Sequence, residues 1–253
     1  MTSTQSLFIG IPAYGGIDGL AFRSHLALSL LLQERKIPHT FHVADNLGDI
    51  VRIRNGILAA FMRSGLTHLL MADADVAFPP AAVVSMLGSG HAVVGAAVPM
   101  RRLNFEGLRG SLAGVTSPPP AERLRARTVQ FNVEPKTSTA RGDFLPVKAL
   151  GTALMMVDRS AIEKMAKAYP ELEHVDSDGQ VQIGLFNHLI DRETRRLYGE
   201  DVSFCRRHTS LGGDIYCLTN CPVTHTGPIA LSGNLLDVER NILPFVQRPA
   251  EVV

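Results

Sequence analysis

Two aspartates one residue apart, Asp73 and Asp75, close the apolar run 68–72 in the segment MADADV. Carboxylates at i and i+2 of an extended segment point the same way, so both can address one hard cation, which in turn can neutralise a diphosphate leaving group. A position just beyond the carboxyl end of a buried strand is where open α/β sheets bind ligands. The competing interpretation is an Asp turn that caps the helix near Pro79. A second acidic pair, Glu200 and Asp201 in the run GED, precedes a helix expected to start near Val202. Acids there stand where a helix amino terminus and an acceptor hydroxyl can meet, although Asp201 suits the N-cap of that helix equally well. Gly151 and Thr152 interrupt the run 147–157 and either open room for a ligand, which the resemblance described below implies to be an acceptor or sugar, or mark a bulge.

These side chains need a frame. Residues 6–12 read as a buried parallel strand entering the loop Pro-Ala-Tyr-Gly-Gly. Then follow an expected helix over 22–36 barred by Pro38, a strand over 40–44 ending at Asp45, and a helix over 50–64 with Arg52, Arg54 and Asn55 in its first turns. A strand over 68–72, a helix from about Ala81 and a strand over 92–98 complete the pattern. The alternation predicts an α/β fold with a Rossmann-like, mostly parallel central sheet and helices on both faces.

Between 101 and 143 the pattern fails, with Pro118-Pro119-Pro120 and only a short strand candidate at 129–133, so this stretch is expected to be a flexible loop or excursion, either a substrate lid or a surface insertion. Regularity resumes with one strand over 147–157, a helix over 161–168 capped by Ser160, and a strand over 215–218 before Cys-Pro-Val-Thr-His-Thr-Gly. The expected organisation is one domain over 1–253, with a first half at 1–100, the excursion at 101–146 and a second half at 147–253; the resemblance described below implies that the first half binds nucleotide and the second faces the acceptor.

Composition narrows the partners. Lys plus Arg (25) nearly cancel Asp plus Glu (24), so no broad basic field exists to condense onto phosphate backbones or anionic lipid. With no Trp and 6% aromatic residues, base stacking is disfavoured as well, and no nucleic-acid partner is expected. A hydrophobic fraction of 45% supports a sizeable core. The start MTSTQSLFIGIP lacks a basic segment followed by a long apolar run, so no signal peptide is expected. The uncharged stretch 81–99 is broken by Gly88, Ser89, Gly90 and His91 and reads as helix, turn and strand, so no transmembrane segment is expected either. Three cysteines, Cys205, Cys217 and Cys221, suit reduced thiols and a cytoplasmic setting. Homo-oligomerisation is left open.

The order IPAYGG, HVADN, IVRIRNGIL and THLLMADADVAFPP resembles the nucleotide-binding half of GT-A glycosyltransferases, and Arg-x-Arg-Asn followed by Asp-x-Asp is similar to the Anp1-like mannan polymerase branch. The segments VKALGTALMMVDRSAIEKM and YGEDVSFCRR with CPVTHTG resemble the acceptor-side half of bacterial and phage members. The resemblance implies a GT-A type fold and a hexosyltransferase using a nucleoside-diphosphate sugar donor (UDP- or GDP-sugar), a glycan or other hydroxyl acceptor, and Mn²⁺ or Mg²⁺. It implies that Pro12, Ala13 and Tyr14 line the nucleoside pocket, that Asp45 addresses the base or ribose, and that Arg54 meets the diphosphate or ribose. Asp73 would sit near ribose and metal, Asp75 would ligate the metal, and His225 would complete the coordination; imidazole with carboxylate suits Mn²⁺. Asp201, with Glu200 beside it, would be the general base, as in inverting members. Arg52 and Arg54 can instead be a solvated helix face paired with acids, and Tyr14 can be packing. The absence of a Gln-x-x-Arg-Trp motif leaves stereochemistry open, and the absence of the fungal enzymes' amino-terminal anchor leaves the acceptor open.

Rival chemistries are weaker. Cys217, Cys221 and His225 recur every four residues, but in an extended strand each step spans roughly 13 Å, too far to share a zinc ion. The run Asp176 to Gln180 lacks the later acids of a calcium loop and reads as a surface turn. An NAD(P)-dependent Rossmann enzyme would want GxGxxG, whereas this first loop carries Pro12 where backbone donors should face pyrophosphate. A sugar nucleotidyltransferase would carry a Gly-rich loop with a catalytic Arg or Lys near the first strand. A catalytically silent nucleotide- or glycan-binding protein is the non-enzymatic alternative.

Overall fold

The computed structural model describes residues 5–45, 48–113, 117, 120, 128–136 and 142–228. In chain order the elements begin β1 (Leu7–Ala13), α1 (Gly19–Glu34), β2 (His39–Asp45), α2 (Ile50–Ser64), β3 (His68–Ala72), β4 (Val76–Ala77), α3 (Pro80–Gly88) and β5 (Val93–Ala96). They continue with α4 (Phe105–Leu112), β6 (Val133–Pro135), β7 (Phe144–Leu150), β8 (Leu154–Asp158) and α5 (Arg159–Ala168). After a 3-10 turn at Pro170–Leu172 come β9 (Glu173–Val175), β10 (Val181–Ile183), β11 (Leu189–Ile190), β12 (Leu197–Tyr198), α6 (Glu200–Ser210), β13 (Ile215–Leu218) and β14 (Thr224–His225).

Eight strands form the central sheet in the order β2-β1-β3-β8-β5-β13-β7-β6. Strands β1, β2, β3, β5, β6 and β13 run one way and only β7 and β8 run against them, so the sheet is mostly parallel. Alternating side chains along each strand feed two separate cores. Phe8, Leu69, Met71, Met155 and Val157 pack with Ile57 and Phe61 of α2, Ile162 and Met165 of α5, and Phe204 of α6. Leu7, Ile9, Leu70, Leu154 and Met156 pack on the other face with Leu28 and Leu32 of α1 and Val83 and Met86 of α3. Helix α2 lies close on β1 because position 10 is glycine; a Cβ there would stand 2.2 Å from Ile57 Cγ2.

Local signals start the helices at the cleft end. Asp18 caps α1 by accepting the Leu20 and Ala21 N–H groups, and Asp49 caps α2 by accepting the Val51 N–H. Gly65, at φ 72°, ends α2 in the left-handed conformation. The stretch 81–99 folds as expected into α3, a turn and β5, and among the described residues no helix is long and apolar enough to cross a membrane.

Three expectations need correction. The single strand over 147–157 is two strands, β7 and β8, broken at Gly151 and separated in the sheet by β5 and β13. An eleven-residue apolar run exceeds an ordinary strand of about five or six residues, and nothing periodic marks the break. The excursion holds structure: α4, capped by the Asn104 side chain on the Gly107 N–H, and a bridge between Pro99 and Phe131 ahead of β6. Glycines 107 and 110 hid this helix by weakening its propensity. Helix α5 is capped by Asp158, which accepts the Ser160 N–H, and not by Ser160.

Candidate active site

The carboxyl ends of β1 and β3 open onto a cleft of about 1020 Å³. One wall is the end of β1, with Pro12, and the loop after it, with Tyr14 and Asp18; the other carries Asp75, Arg101 and Thr226. A smaller pocket of about 310 Å³ shares Arg54, Asp73, Arg101 and Glu200 with this cleft and continues past Asn132, Thr152, Asp201 and His225. A large compartment therefore joins a small one at a charged throat.

The throat is built from α2. Arg54 is buried, 4% exposed, and its two terminal nitrogens bind different acids: Nη1 donates to Glu200 Oε1 at 3.0 Å and Nη2 to Asp73 Oδ1 at 3.2 Å. Burial alone would lower the guanidinium's pKa, but Asp73, Glu200 and Asp201 outweigh it and the net shift is upward. Asp73 moves the other way from an ordinary carboxyl: burial raises it, Arg54 partly offsets this, and the Asp75 charge adds to the rise. Its backbone is tied to the Ala153 carbonyl at 2.9 Å, so β8 fixes the end of β3.

Asp75 sits in a more open place. His225 Nε2 lies 3.3 Å from its Oδ1 and Arg101 Nη1 lies 2.7 Å from its Oδ2. Strand β14 pairs antiparallel with β4, which sets His225 opposite Val76, and the Thr226 N–H donates to the Asp75 carbonyl at 2.9 Å. Burial pushes the Asp75 carboxyl up, but the hydrogen bond and charge of His225 and the Arg101 guanidinium win, and the net shift is down. The same hydrogen bond to Asp75 is the largest cause of the raised His225 pKa.

These residues fit a divalent cation in a specific way. His225 Nδ1 lies 2.6 Å from the Pro99 carbonyl oxygen, a contact that needs a proton on Nδ1 and leaves Nε2 of the neutral ring as an acceptor facing Asp75 Oδ1. Two acceptors 3.3 Å apart require a proton or a cation between them, and that separation lets both reach one ion at bond lengths of about 2.1 Å. Asp73 does not join them; its carboxylate is turned to Arg54, and among the described residues no three His, Cys, Asp or Glu side chains converge as a metal site. Of the three residues expected to hold a metal, only Asp75 and His225 face each other in this form. Cys217 and Cys221 do not meet His225 in such a group either.

In the smaller pocket Asp201 is held on both oxygens. Its Oδ2 accepts from Asn132 Nδ2 at 2.6 Å and its Oδ1 from the Val202 N–H at 2.8 Å. The N-cap position of α6 belongs to Gly199, so Asp201 lies in the first turn and is not the cap. Gly151 lets Asn132 approach: a Cβ there would come within 2.8 Å of Asn132 Nδ2. Thr152, only 1% exposed, lines the pocket with its hydroxyl oxygen unpartnered, which in a buried site favours a ligand hydrogen bond.

Other expected residues divide. Pro12 lines the large cleft, and so does Tyr14, 77% exposed and therefore not packing. Ala13 is corrected: its side chain points into the apolar core with Ile11, because residues 12 and 13 of a strand face opposite sides. Asp45 is exposed opposite Ala13 at the end of β2 and is not among the residues lining the cleft. Arg54 lines the cleft with both terminal nitrogens already committed to acids, so its place is structural in this form, while Arg52 is exposed and reaches Ser177. Sequence reasoning missed Arg101, Asn132 and Asp18. Asp18 before Gly19 and an apolar run was a readable cap signal, whereas Arg101 and Asn132 are contacts made across long stretches of chain.

No protein-family model matches the sequence, and no curated protein matches it. Among solved structures, A197 from STIV is similar with a TM-score of 0.50 at 16% identity, covering 88% of this chain and 87% of that one. The catalytic domain of Drosophila β1,4-galactosyltransferase 7, solved with xylobiose, aligns at 12% identity with a TM-score of 0.39 over 94% and 80% of the two chains. A glycosyltransferase involved in glycosylation of the major capsid of PBCV-1 aligns at 12% identity with a TM-score of 0.32 over 65% and 66%. The structural neighbours thus include glycosyltransferases at low identity, and the likeness to A197 establishes a shared fold and nothing finer.

Proposed function

We propose that this protein is a metal-dependent glycosyltransferase that moves a hexose from a UDP- or GDP-sugar to a hydroxyl acceptor, with Mn²⁺ or Mg²⁺ held by Asp75 and His225. The observation that carries this is the approach of His225 Nε2 to within 3.3 Å of Asp75 Oδ1, with Asp75 on the wall of a cleft large enough for a nucleotide sugar and His225 on the adjoining smaller pocket. Charge points the same way. Across the two compartments Asp73, Asp75, Glu200 and Asp201 stand with the two arginines Arg54 and Arg101, so a diphosphate would enter an already acidic site and needs a cation with it. The helix bearing Arg-x-Arg-Asn and the Asp-x-Asp it touches support the Anp1-like branch within this class. The proposed setting is the cytoplasm, where Cys205, Cys217 and Cys221 stay reduced.

When bound, the cation would act as Lewis acid on the leaving diphosphate. Pro12 and Tyr14 offer the nucleoside a wall at the carboxyl end of β1. Arg54 holds Asp73 and Glu200 in place. An acceptor hydroxyl entering the smaller pocket would meet Asp201, whose Oδ2 is oriented by Asn132 to take its proton, and Thr152, whose hydroxyl is free to bond the acceptor or the sugar. The test is nucleoside-diphosphate release from a panel of UDP- and GDP-sugars with Mn²⁺, comparing wild type with Asp201→Asn. Loss of about a hundredfold in rate with donor affinity retained is expected. Equal rates would remove Asp201 from the chemistry, and silence across the panel in wild type would favour a binding protein.

A further inference from the structure

Arg101, the first residue of the excursion, reaches back to the cleft and places Nη1 2.7 Å from Asp75 Oδ2, on the opposite oxygen from His225. Shape holds it there as well as charge. The Arg101 side chain lies across Gly227, where a Cβ would come within 2.5 Å of Arg101 Cδ. It differs from Arg54 in two respects: its side chain is 50% exposed against 5%, and it has one carboxylate partner where Arg54 has two. An exposed ion pair of this kind is worth little, so the guanidinium can leave Asp75 at small cost.

A divalent cation drawn to Asp75 would repel that guanidinium and displace it, because the doubly charged ion interacts more strongly with one carboxylate than a delocalised guanidinium does. The freed side chain has five N–H donors in a planar fork, the geometry that pairs with phosphate oxygens, and it lines the same cleft the diphosphate would enter. Resting on the donor and cation site proposed above, we propose that Arg101 is a phosphate-positioning residue held in reserve on Asp75. It neutralises the carboxylate while the cleft is empty and turns to the diphosphate when cation and donor arrive.

This exchange gives one substitution opposite effects on two ligands, which a purely structural role does not. Titration calorimetry on the full chain would measure Mn²⁺ alone, then UDP or GDP, whichever binds wild type, at saturating Mn²⁺. Arg101→Met should bind Mn²⁺ roughly threefold tighter, its competitor being gone, and bind the diphosphate roughly tenfold weaker. Gly227→Ala, which pushes the guanidinium off Asp75 without removing it, should reproduce the tighter Mn²⁺ binding while retaining more diphosphate affinity than Arg101→Met. Unchanged or weaker Mn²⁺ binding in Arg101→Met, or unchanged diphosphate binding, overturns the exchange while leaving the donor site intact. Wild type binding neither Mn²⁺ nor diphosphate would overturn the donor site and the exchange together.

Discussion

The inner and outer parts of the cleft treat the same residue type in opposite ways. Asp73, at the throat, is paired to a buried arginine that also binds Glu200, and burial raises its pKa. Asp75, two residues on, is paired to a half-exposed arginine and to His225, and those partners lower its pKa. The first arrangement is expensive to disturb, since removing either charge strands the other in a poorly solvated site. The second can swap partners. A site that must stay shaped while admitting a charged ligand needs both, and here the division runs along a single strand end.

The largest effect expected from breaking this contrast is at Arg54. Arg54→Met leaves Asp73 and Glu200 without their counter-charge and should lower unfolding stability by about 3–5 kcal/mol in urea titrations. Adding Asp73→Asn and Glu200→Gln to that variant should restore part of the loss; no restoration would mean that packing and not charge fixes the throat. His25 then separates burial from pairing. It is buried between Phe41 and Phe78 with neither ring nitrogen hydrogen-bonded, and burial lowers its pKa to about 4. Below pH 6.5 the unfolded chain therefore takes up a proton that the folded chain refuses. His25 should contribute a loss of about 3 kcal/mol as pH drops from 6.5 to 4, and His25→Phe should remove that part of the profile. His42, His68 and His208 are lowered too and act in the same sense. The smallest effect belongs to the outer pair: Asp75→Asn should change stability by less than about 1 kcal/mol. A loss as large as that of Arg54→Met would erase the distinction between the two ends.

Sequence reading succeeded where neighbours in the chain are neighbours in space. The run of β1, α1, β2, α2 and β3 is local, and the bounds expected for α2 and β3, 50–64 and 68–72, match the structure to the residue. It failed where the sheet is assembled from distant pieces. Strand β8 enters between β3 and β5, both more than 55 residues earlier in the chain, and no feature of ALMMV says which neighbours it will choose. The candidate site shows the same split. Asp73, Asp75, Glu200 and Asp201 stood out as acids at element ends, but that Arg54 would join two of them, or that Asn132 would cross 69 positions to hold Asp201, required the fold. Ala13 is different, since the strand's own alternation could have told that it faces away from Pro12.

The most direct test is calorimetric binding of UDP and GDP to wild type and Asp75→Asn, each with Mn²⁺ and with EDTA. Metal-dependent binding of one nucleotide to wild type, lost in Asp75→Asn while the variant stays folded, is the expected result. Binding of equal strength with Mn²⁺ and with EDTA, or binding that Asp75→Asn leaves untouched, would contradict a cation held at Asp75 and His225.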